Sequence, residues 1–337
     1  MLGEEEVRLD AVSDIFDLLQ LRGSFYFRTH FSGSWGTTVP ALGHAARFHY
    51  AKQGSCWAKV EGCEPVRLNQ GDLLMVPRGR SHILSNDVVQ TAPPLETVMQ
   101  EAGYDGNRVL SNGAADEAAA TQLICGHFDF DGDLDHPLLD ALPSYILITA
   151  EQRKGRPWLE EVLGLLVANV FNDYPGSLAA VTRLSEIIFI ESLHCVDDEA
   201  PRLATLMKGF SDPRLARALA AMHREPERDW NVEALAREAG MSRTRFASEF
   251  QAAFDRGPFN YLTEWRMQRA AAALRRTDRR IADVAFANGY SNPAAFSRAF
   301  SARFGQTPRS MRKAARAGLL DDKPKGPIPK RGGIPTD

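Results

Sequence analysis

The chain has 337 residues, 44% of them hydrophobic and 25% charged, which is typical of a globular protein with room for two domains. No apolar run approaches the roughly 18 residues of a membrane span, and the acidic start MLGEEEVRLD lacks signal-peptide features, so we expect a cytoplasmic protein without membrane contact. The net charge of −3 conceals a basic C-terminal third: residues 211–316 carry 20 Lys and Arg against 11 Asp and Glu, which favours a polyanionic partner there.

The N-terminal part predicts short β-strands between glycine-bearing turns, a pattern of antiparallel sandwiches and barrels. Residues 24–91 contain the β-like segments FYFRTHF, ARFHYA, CWAKVEG, PVRLNQ and DLLMVP. Residues 101–122 are polar and rich in small residues, which indicates a surface loop, and LICGHFDF then predicts another strand. Within GDLLMVPRGRSHILSN, at 71–86, we expect a strand between two turns, followed by His82.

The pattern becomes helical after Trp158. Two apolar helices are predicted, WLEEVLGLLVANVFNDY and SLAAVTRLSEIIFIESLH, separated by a Pro-Gly break at 175–176. They either cap the sheet domain or form a dimer interface, and we favour a role in dimerisation. The Pro- and Gly-rich, charged segment 317–337 is expected to be disordered.

One pattern occurs twice in the basic third, as VEALAREAGMSRTRFASEF at 232–250 and IADVAFANGYSNPAAFSRAF at 281–300. In each copy an alanine precedes a glycine by four residues, and an amphipathic segment with phenylalanines four apart follows. This spacing predicts a helix-turn-helix, in which the alanine lets two helices cross closely and the glycine adopts positive φ. We expect Ser242 and Ser291 to cap the incoming helices.

Between the two copies lies PFNYLTEWRMQRAAAALRRT, which predicts one long connecting helix because no proline or glycine follows Pro258. Tyr261 and Trp265 on this helix are expected in the core rather than stacked on bases. A rigid connection would allow both second helices to enter successive major grooves, about 34 Å apart on one face of DNA.

These stretches carry a family resemblance. LAREAGMSRTRFASEF, PFNYLTEWRMQRA, IADVAFANGYSNPAAFSRAF and FGQTPRSMR resemble the DNA-binding domain of the AraC/XylS family of bacterial transcription factors. DLLQLRGSFYFR, GSCWAKVEG, GDLLMVPRGRSH, HPLLDALP and SDPRLARALAAMH resemble the cupin-type sensor half of one branch of that family. One departure is Asp255-Arg256, where the family more often has a glycine that ends the first recognition helix.

The resemblance implies an α+β chain in which a cupin-like antiparallel β-barrel precedes an all-α domain with two helix-turn-helix motifs. The predicted division is a cupin-like effector-sensing domain at 1–155, a helical linker and dimerisation region at 156–210, a DNA-binding domain at 211–316 with helix-turn-helix motifs at 232–254 and 281–304, and a disordered tail at 317–337.

In this family the exposed face near the start of each recognition helix contacts bases. Carried over by motif position, the candidates are Ser242, Arg243, Thr244, Ala247, Ser248, Asn292, Pro293, Ala294, Ser297 and Arg298. Arg298 is the main candidate for a bidentate guanine contact, with a phosphate contact or an intramolecular salt bridge as its alternatives. Arg245, Arg303 and Arg309 are assigned to phosphates, which position a protein on DNA without specifying sequence.

Residues 71–86 resemble the second motif of cupin barrels, in which His82 would be a metal ligand. The first motif, framed from Gly43, supplies His49 but has Ala51 and Ser55 where a second histidine and an acid would stand. A stable transition-metal site needs three or four suitable protein ligands, so we predict no metal and no other cofactor. A cupin metalloenzyme fused to a DNA-binding domain is therefore the weakest alternative.

We predict instead a transcription regulator, not an enzyme, whose N-terminal domain binds a small effector. Arg47, His49, Trp57 and His82 are candidate pocket residues, with structural positions in the core or rim as the alternative. A redox-sensing regulator is a further alternative, which would need an exposed thiol of low pKa. Its candidates are Cys56, Cys63 and Cys125. The expected partners are double-stranded promoter DNA, the effector, a second copy of the chain and RNA polymerase.

Overall fold

The computed structural model of the chain describes residues 10–19, 22–42, 45–89, 91–104, 109–112, 120–129, 136–170, 174–196 and 200–321. These residues form two compact units, and neither unit is continuous in sequence. The sheet unit comprises the described residues of 21–132 and 142–200. The helical unit comprises the described residues of 1–20, 133–141 and 201–323. No helix among the described residues is long and apolar enough to cross a membrane.

The sheet unit contains two β-sheets. The first has the strand order β10-β6-β3-β9-β1-β8 and is antiparallel except for the pair β1–β8. The second, antiparallel throughout, has the order β2-β7-β4-β5. Their bounds are β1 Arg22–Phe31, β2 Gly36–Val39, β3 Ala45–Gln53, β4 Cys56–Val60, β5 Val66–Leu68, β6 Leu73–Val76, β7 His82–Ser85, β8 Leu110–Asn112, β9 Gln122–Asp129 and β10 Ile146–Ile148.

The core of this unit lies between the two sheets. Alternation along β4 sends Cys56, Ala58 and Val60 inward, where they meet Leu74 and Leu123 from the larger sheet. Among the described residues, however, no strand of one sheet pairs with a strand of the other. The prediction of a closed barrel is therefore wrong, and the two sheets form a sandwich. The edge strands β2, β5, β8 and β10 have only three or four residues, too few to carry the pairing around a barrel.

Helices cover the opposite face of the six-stranded sheet. Phe48 on β3 packs on Phe128 of β9, with ring centroids 5.5 Å apart, and Phe128 packs on Phe189, 5.2 Å away. Phe189 belongs to α6, which runs from Ser177 to Ser192 beside α5, Pro157–Val170. The two apolar helices predicted after Trp158 therefore cap the sheet. This unit also contains α2 Leu95–Glu101, α4 Ala150–Lys154 and a 3-10 turn at Leu193–Cys195.

Residues 101–122 were expected to form one polar loop, and the structure differs in part. β8 lies within this range and pairs in parallel with the end of β1, Thr29 opposite Leu110. Leu110 is fully buried, so one apolar residue in a polar segment is enough to anchor a short strand. Residues 105–108 and 113–119 lie outside the described residues.

The helical unit contains no strand among its described residues. Its helices are α1 Ala11–Leu19, α3 Pro137–Ala141, α7 Pro201–Ser211, α8 Pro213–Arg224, α9 Val232–Glu238, α10 Arg243–Phe254, α11 Pro258–Arg276, α12 Ile281–Phe286, α13 Pro293–Phe304 and α14 Pro308–Asp321. The predicted limits 1–155 and 156–210 do not follow this packing, because α1, α3 and α7 belong to the helical unit.

Helix α1 shows why a domain limit drawn along the sequence misses this arrangement. It is amphipathic, and it buries Ile15 and Leu19 within the helical unit. Asp14 lies 3.0 Å from Nδ1 of His223 on α8, and Arg276 at the end of α11 donates to the Leu18 carbonyl (2.6 Å). These two polar contacts join α1 to residues of α8 and α11 that lie more than 200 positions later in the chain.

The last described helix overlaps the predicted tail. Helix α14 continues to Asp321, so it includes the first residues of the segment 317–337 that was expected to be disordered. After Pro308 at its first position the helix contains no further proline, and its Lys, Arg, Ala and Leu residues favour helix. Residues 322–337 lie outside the described residues.

Candidate functional site

The first helix-turn-helix is formed by α9 and α10. Gly240 between them has φ of +67°, as its place in the motif predicts. The amide of Met241 donates to the carbonyl of Ala236 (2.8 Å), and Ala236 is buried where the helices cross. Ser242 caps α10, since its side chain accepts a long hydrogen bond from the Arg245 amide (3.4 Å).

The second motif repeats this geometry with α12 and α13. Gly289 has φ of +79°, and the amide of Tyr290 donates to the carbonyl of Ala285 (3.0 Å). The cap differs from the expected Ser291: Oδ1 of Asn292 accepts from the amides of Ala294 (2.8 Å) and Ala295 (3.3 Å). The connection between the two helices has six residues here against four in the first motif, and the proline that follows Asn292 fixes the first helical position.

An arginine from the preceding helix packs against each turn glycine. Arg217 on α8 donates to the carbonyls of Glu238 (3.1 Å) and Ala239 (3.0 Å), next to Gly240. Arg266 on α11 donates to two carbonyls of the loop before α9, those of Pro226 (2.6 Å) and Arg228 (2.8 Å). A Cβ on Gly289 would lie 2.7 Å from the Arg266 guanidinium carbon. Neither arginine was predicted from the sequence, although each precedes its glycine by the same spacing of 23 residues.

Buried phenylalanines fix which face of each second helix stays outside. Phe246, Phe250 and Phe254 are buried on α10, as are Phe296 and Phe300 on α13. The predicted DNA contacts lie on the other faces. Exposed are Ser242, Arg243, Thr244, Arg245, Ser248, Asn292, Ala294 and Arg298, whereas Ala247, Pro293, Ser297 and Arg303 are half-buried.

The arginines of these helices differ in their partners. Nε of Arg245 donates to Glu249 (2.6 Å) in an exposed pair, and Glu249 also accepts from Arg214 of α8 (2.8 Å). Arg303 is held by the carboxylate of Glu264 on α11. The side chains of Arg243 and Arg298 make no ion pair or hydrogen bond with any other residue that the structure describes. The latter two are therefore the cations of the recognition helices available to a ligand.

The connecting helix buries its aromatic residues, as expected. Tyr261 is 2% exposed and Trp265 4%. Trp265 stacks on His223 with ring centroids 3.7 Å apart, and the Tyr261 hydroxyl lies 2.9 Å from Nε2 of His223. Burial lowers the pKa of His223 and raises the pKa of Tyr261. These rings belong to the core and offer no stacking surface to a base.

The sheet unit contains a chain of buried polar side chains formed by His49 on β3, His82 on β7 and Cys125 on β9. Nε2 of His49 lies 2.7 Å from Nε2 of His82, and Nδ1 of His49 lies 3.1 Å from Sγ of Cys125. Nδ1 of His82 lies 2.9 Å from the Arg80 carbonyl oxygen. At most 3% of each of the three residues is exposed. We call these three residues the histidine chain.

The Arg80 carbonyl fixes every proton in the histidine chain. A carbonyl oxygen only accepts, so neutral His82 carries its proton on Nδ1 and presents a lone pair at Nε2. His49 then donates from Nε2 and accepts the Cys125 thiol proton at Nδ1. Burial lowers the pKa of His82 to about 4, lowers the pKa of His49 and raises the pKa of Cys125. The chain is therefore neutral, and its donors and acceptors match.

Of the other two predicted pocket residues, Arg47 lies beside the histidine chain and Trp57 does not. Arg47 is buried on the same face of β3 as His49, and its charge further lowers the pKa of His49 and His82, after burial. Trp57 lies on the outward face of β4, with the Arg67 guanidinium 5.5 Å from its ring centroid. It lines a separate open depression of about 500 Å³ with Lys59, Cys63, Glu64, Pro65 and Val88. Because strand alternation sends it outward, Trp57 does not share a site with the other three.

The residues present do not fit a cupin metal ion. The two histidine Nε2 atoms face each other at hydrogen-bond distance, and Cys125 lies at the other nitrogen of His49, so the three ligands do not converge. Ala51 is part of the apolar core, and the Ser55 hydroxyl accepts from Arg67 (2.8 Å). Among the described residues no group of three or more His, Cys, Asp and Glu side chains is placed to hold a metal ion.

The cysteines give little support to the redox alternative. Cys56 and Cys125 are buried, and burial raises the pKa of Cys56 to about 12. A reactive sensor thiol needs exposure and a lowered pKa, which both lack. Cys63 is half-buried at the depression beside Trp57, and all four cysteines are free thiols.

Comparisons with known proteins agree with this geometry. Residues 10–196 match a family model described as Cupin, and residues 235–314 match one described as Helix-turn-helix domain. The HTH-type transcriptional regulator AlkR of Acinetobacter baylyi is 30% identical, over 90% of this chain and 99% of its own. A putative AraC-like transcription regulator of Streptomyces lividans is 31% identical, over 90% of this chain and 98% of its own.

A solved structure from Chromobacterium violaceum, a transcriptional regulator with an AraC-type DNA-binding domain, is 27% identical. It covers 34% of this chain and 96% of its own, with a TM-score of 0.30. The cupin match spans more than half of this chain, and the two relatives match over nine tenths of it. The chain belongs to the AraC-like family of DNA-binding transcription regulators, with an N-terminal cupin domain and a C-terminal helix-turn-helix domain.

Proposed function

We propose that this regulator places α10 and α13 in successive major grooves of promoter DNA, and that a small molecule bound in its sheet unit controls this binding. The observation that carries the proposal is the repeated geometry of the helical unit. Each motif turns its phenylalanines inward and leaves the opposite face of its second helix exposed. The net charge of +9 over residues 211–316 supports a polyanionic partner.

Arg298 is the proposed base-contacting residue. A guanidinium can bind the O6 and N7 atoms of guanine in the major groove through two hydrogen bonds, and Arg298 has no competing partner among the described residues. Arg243 is proposed to play a similar part at the start of α10, where Thr244, Ala247 and Ser248 offer only short contacts. Arg245 and Arg309 are proposed to contact phosphates, Arg245 by opening its exposed pair with Glu249.

The substitution Arg298→Ala tests the DNA contact. We expect it to relax the preference at one base step and to weaken specific binding by about 1–3 kcal/mol. The measurement is fluorescence anisotropy of full-length protein with a duplex selected from a randomised pool by the wild-type chain, and with a scrambled duplex. Lys154→Ala, which removes an exposed, ion-paired cation from α4 of the sheet unit, is the control. An unchanged ratio of the two affinities in Arg298→Ala would show that the assignment to a base is wrong.

The effector is proposed to bind against Arg47, His49 and His82. These residues are buried polar groups beside the apolar core of the sandwich, and ligand sites use such a combination to orient small molecules. Trp57 is not part of this proposal, because it faces away from the other three. A non-enzymatic role is supported by relatives that are themselves transcription regulators.

A compound screen by thermal unfolding, followed by DNA titration, tests the effector proposal. A true effector should raise the unfolding midpoint of wild-type protein and change its DNA affinity, and both effects should weaken in His82→Gln. A Trp57→Ala variant should keep both effects. If no small molecule changes DNA affinity, the sheet unit has no sensory role and the protein is a constitutive regulator.

We further propose that the chain acts in the cytoplasm as a homodimer that contacts RNA polymerase at the promoter. The dimer is supported by α5 and α6, which cap the sheet yet leave apolar side chains outside. Trp158 is 39% exposed, Leu165 53% and Ile187 40%. Exposed apolar residues on neighbouring helices are typical of association surfaces.

A further inference from the structure

The ion pair between Glu264 and Arg303 joins the connecting helix α11 to the second recognition helix α13. Nε of Arg303 donates to both carboxylate oxygens of Glu264 (3.1 and 2.8 Å), and an Nη2 hydrogen bond to Oε1 adds a third contact of 2.7 Å. The two side chains are 30% and 16% exposed. This paired geometry is stronger and more directional than that of an ordinary surface pair.

Neighbouring side chains hold both members of the pair. The Gln268 amide, on a fully buried residue one turn further along α11, donates to Oε1 of Glu264 (2.8 Å). The Arg303 guanidinium also lies 5.3 Å from the ring centroid of Phe304. Both side chains are therefore fixed in the absence of DNA, which reduces the entropy lost in forming the pair.

A phosphate could take Arg303 only by leaving Glu264 without its cation. That carboxylate is mostly buried, so removing its partner carries a desolvation penalty that an exposed pair such as Arg245–Glu249 does not carry. The first motif also ties its recognition helix to the preceding helix with one pair, Arg214–Glu249, but there the acid is on the recognition helix. Both motifs therefore have an ion pair between the recognition helix and the helix before the motif, but the acidic and basic residues have exchanged helices.

We propose that Glu264 and Arg303 are positioning residues that set the orientation of α13, and that Arg303 is not a phosphate contact. This inference rests on DNA binding by the helical unit and replaces the phosphate role expected for Arg303 from its motif position. Its consequence is that Arg303 contributes to discrimination between sequences, not to the salt-dependent attraction between protein and DNA.

The test uses full-length wild-type protein, Arg303→Gln, Glu264→Gln and the exchanged pair Glu264→Arg/Arg303→Glu. Affinities for the selected and scrambled duplexes are measured across a range of salt concentrations, and folding is checked by circular dichroism. Lys154→Gln is the control, because it removes an exposed, ion-paired cation from α4 of the sheet unit, outside the proposed dimer helices. Measurable binding of duplex DNA by wild-type protein tests the proposed function separately.

We expect each single variant to lower the ratio of selected to scrambled affinity about tenfold, and the exchanged pair to recover most of it. The salt slope of Arg303→Gln should equal that of wild type. If Arg303 contacts a phosphate, its slope instead falls by about 0.9 while the ratio is kept, which overturns the proposal. A ratio unchanged in both single variants, or no recovery in the exchanged pair, also overturns it.

Discussion

Asp255 adopts a backbone conformation that usually belongs to glycine. Its φ of +54° is the single positive value at a non-glycine residue in the described part of the chain. Asp255 is the residue directly after α10, and Gly305, with φ of +66°, is the residue directly after α13. The family pattern has a glycine more often at this position, and the structure explains why: the helix ends in a left-handed residue whichever side chain is present.

Asp255→Gly should therefore stabilise the protein by about 0.5–1 kcal/mol, because glycine adopts this φ without steric cost. The lost contact with Arg202, 3.7 Å away and exposed on both sides, contributes little. The midpoint of thermal unfolding measures the change. Asp255→Ala is the control, since it removes the same side chain but keeps the strain, and equal midpoints for the two variants would contradict this explanation.

The buried histidines make stability depend on pH. Since burial lowers the pKa of His82 to about 4 from an ordinary 6.5, the unfolded chain binds a proton between these values that the folded chain does not. Stability from this group is complete above pH 6.5 and is lost as the pH falls towards 4, by about 3 kcal/mol. The lowered pKa of His49 acts in the same direction.

His82→Gln should therefore lose less stability than wild type between pH 7 and pH 5, even though it is less stable at pH 7. Unfolding midpoints at the two pH values give this difference. His194→Gln, at an exposed histidine on the 3-10 turn, should retain the wild-type dependence. Parallel pH profiles for His82→Gln and wild type would contradict the neutral histidine chain.

At the scale of elements, each helix-turn-helix depends on the helix before it. Arg217 on α8 and Arg266 on α11 hold carbonyl groups beside or near the turn glycines, so each motif is a three-helix element rather than a pair of helices. Arg266 also links the loop before α9 to the turn of the second motif, since it approaches Gly289 closely. The two motifs are thereby held in one arrangement by the long connecting helix.

Gly289→Ala should destabilise the helical unit more than Gly305→Ala does. Both variants place alanine at positive φ, at a cost of about 1 kcal/mol, but the new Cβ at Gly289 also meets Arg266, whereas nothing lies within 4 Å at Gly305. We expect an additional loss of about 1–3 kcal/mol and weaker DNA binding. Thermal unfolding gives the comparison, and equal losses would show that Arg266 moves aside freely.

At the scale of the whole molecule, successive segments of the chain belong alternately to the two units. The sheet unit is interrupted by residues 133–141 of the helical unit, and α1 of the helical unit precedes β1 directly in the sequence. The covalent chain therefore passes between the units several times instead of through one linker at 156–210.

The dimer proposal is tested with Leu165→Glu and Ile187→Glu, which place charges on the exposed faces of α5 and α6. Both side chains are about half exposed, so the fold should survive while association through these helices is lost. Sedimentation velocity distinguishes dimer from monomer. Lys154→Glu on α4 is the control, because it changes an exposed charge outside α5 and α6. A dimer that persists in both apolar variants places the interface elsewhere.

Much of the helical unit could be predicted from the sequence because its signals are local. The alanine–glycine spacing and the phenylalanine period predicted both motifs and their turns, and these features depend on residues within one or two helical turns. Strands β1, β3, β4, β5, β6 and β9 and the Pro–Gly break were predictable for the same reason, whereas the short strands β2, β7, β8 and β10 were not predicted. The family resemblance is confirmed by the matches over 10–196 and 235–314.

Tertiary structure alone decided the contacts between distant residues. It separated Trp57 from His49 and His82, paired Glu264 with Arg303, brought α1 to α8 and left the two sheets as a sandwich. Each depends on which apolar faces pack together and on which buried polar groups find partners, so residues far apart in the chain have to be considered at once. Sequence determined the two helix-turn-helix motifs of this DNA-binding regulator; packing determined which charged side chains of their second helices pair within the protein.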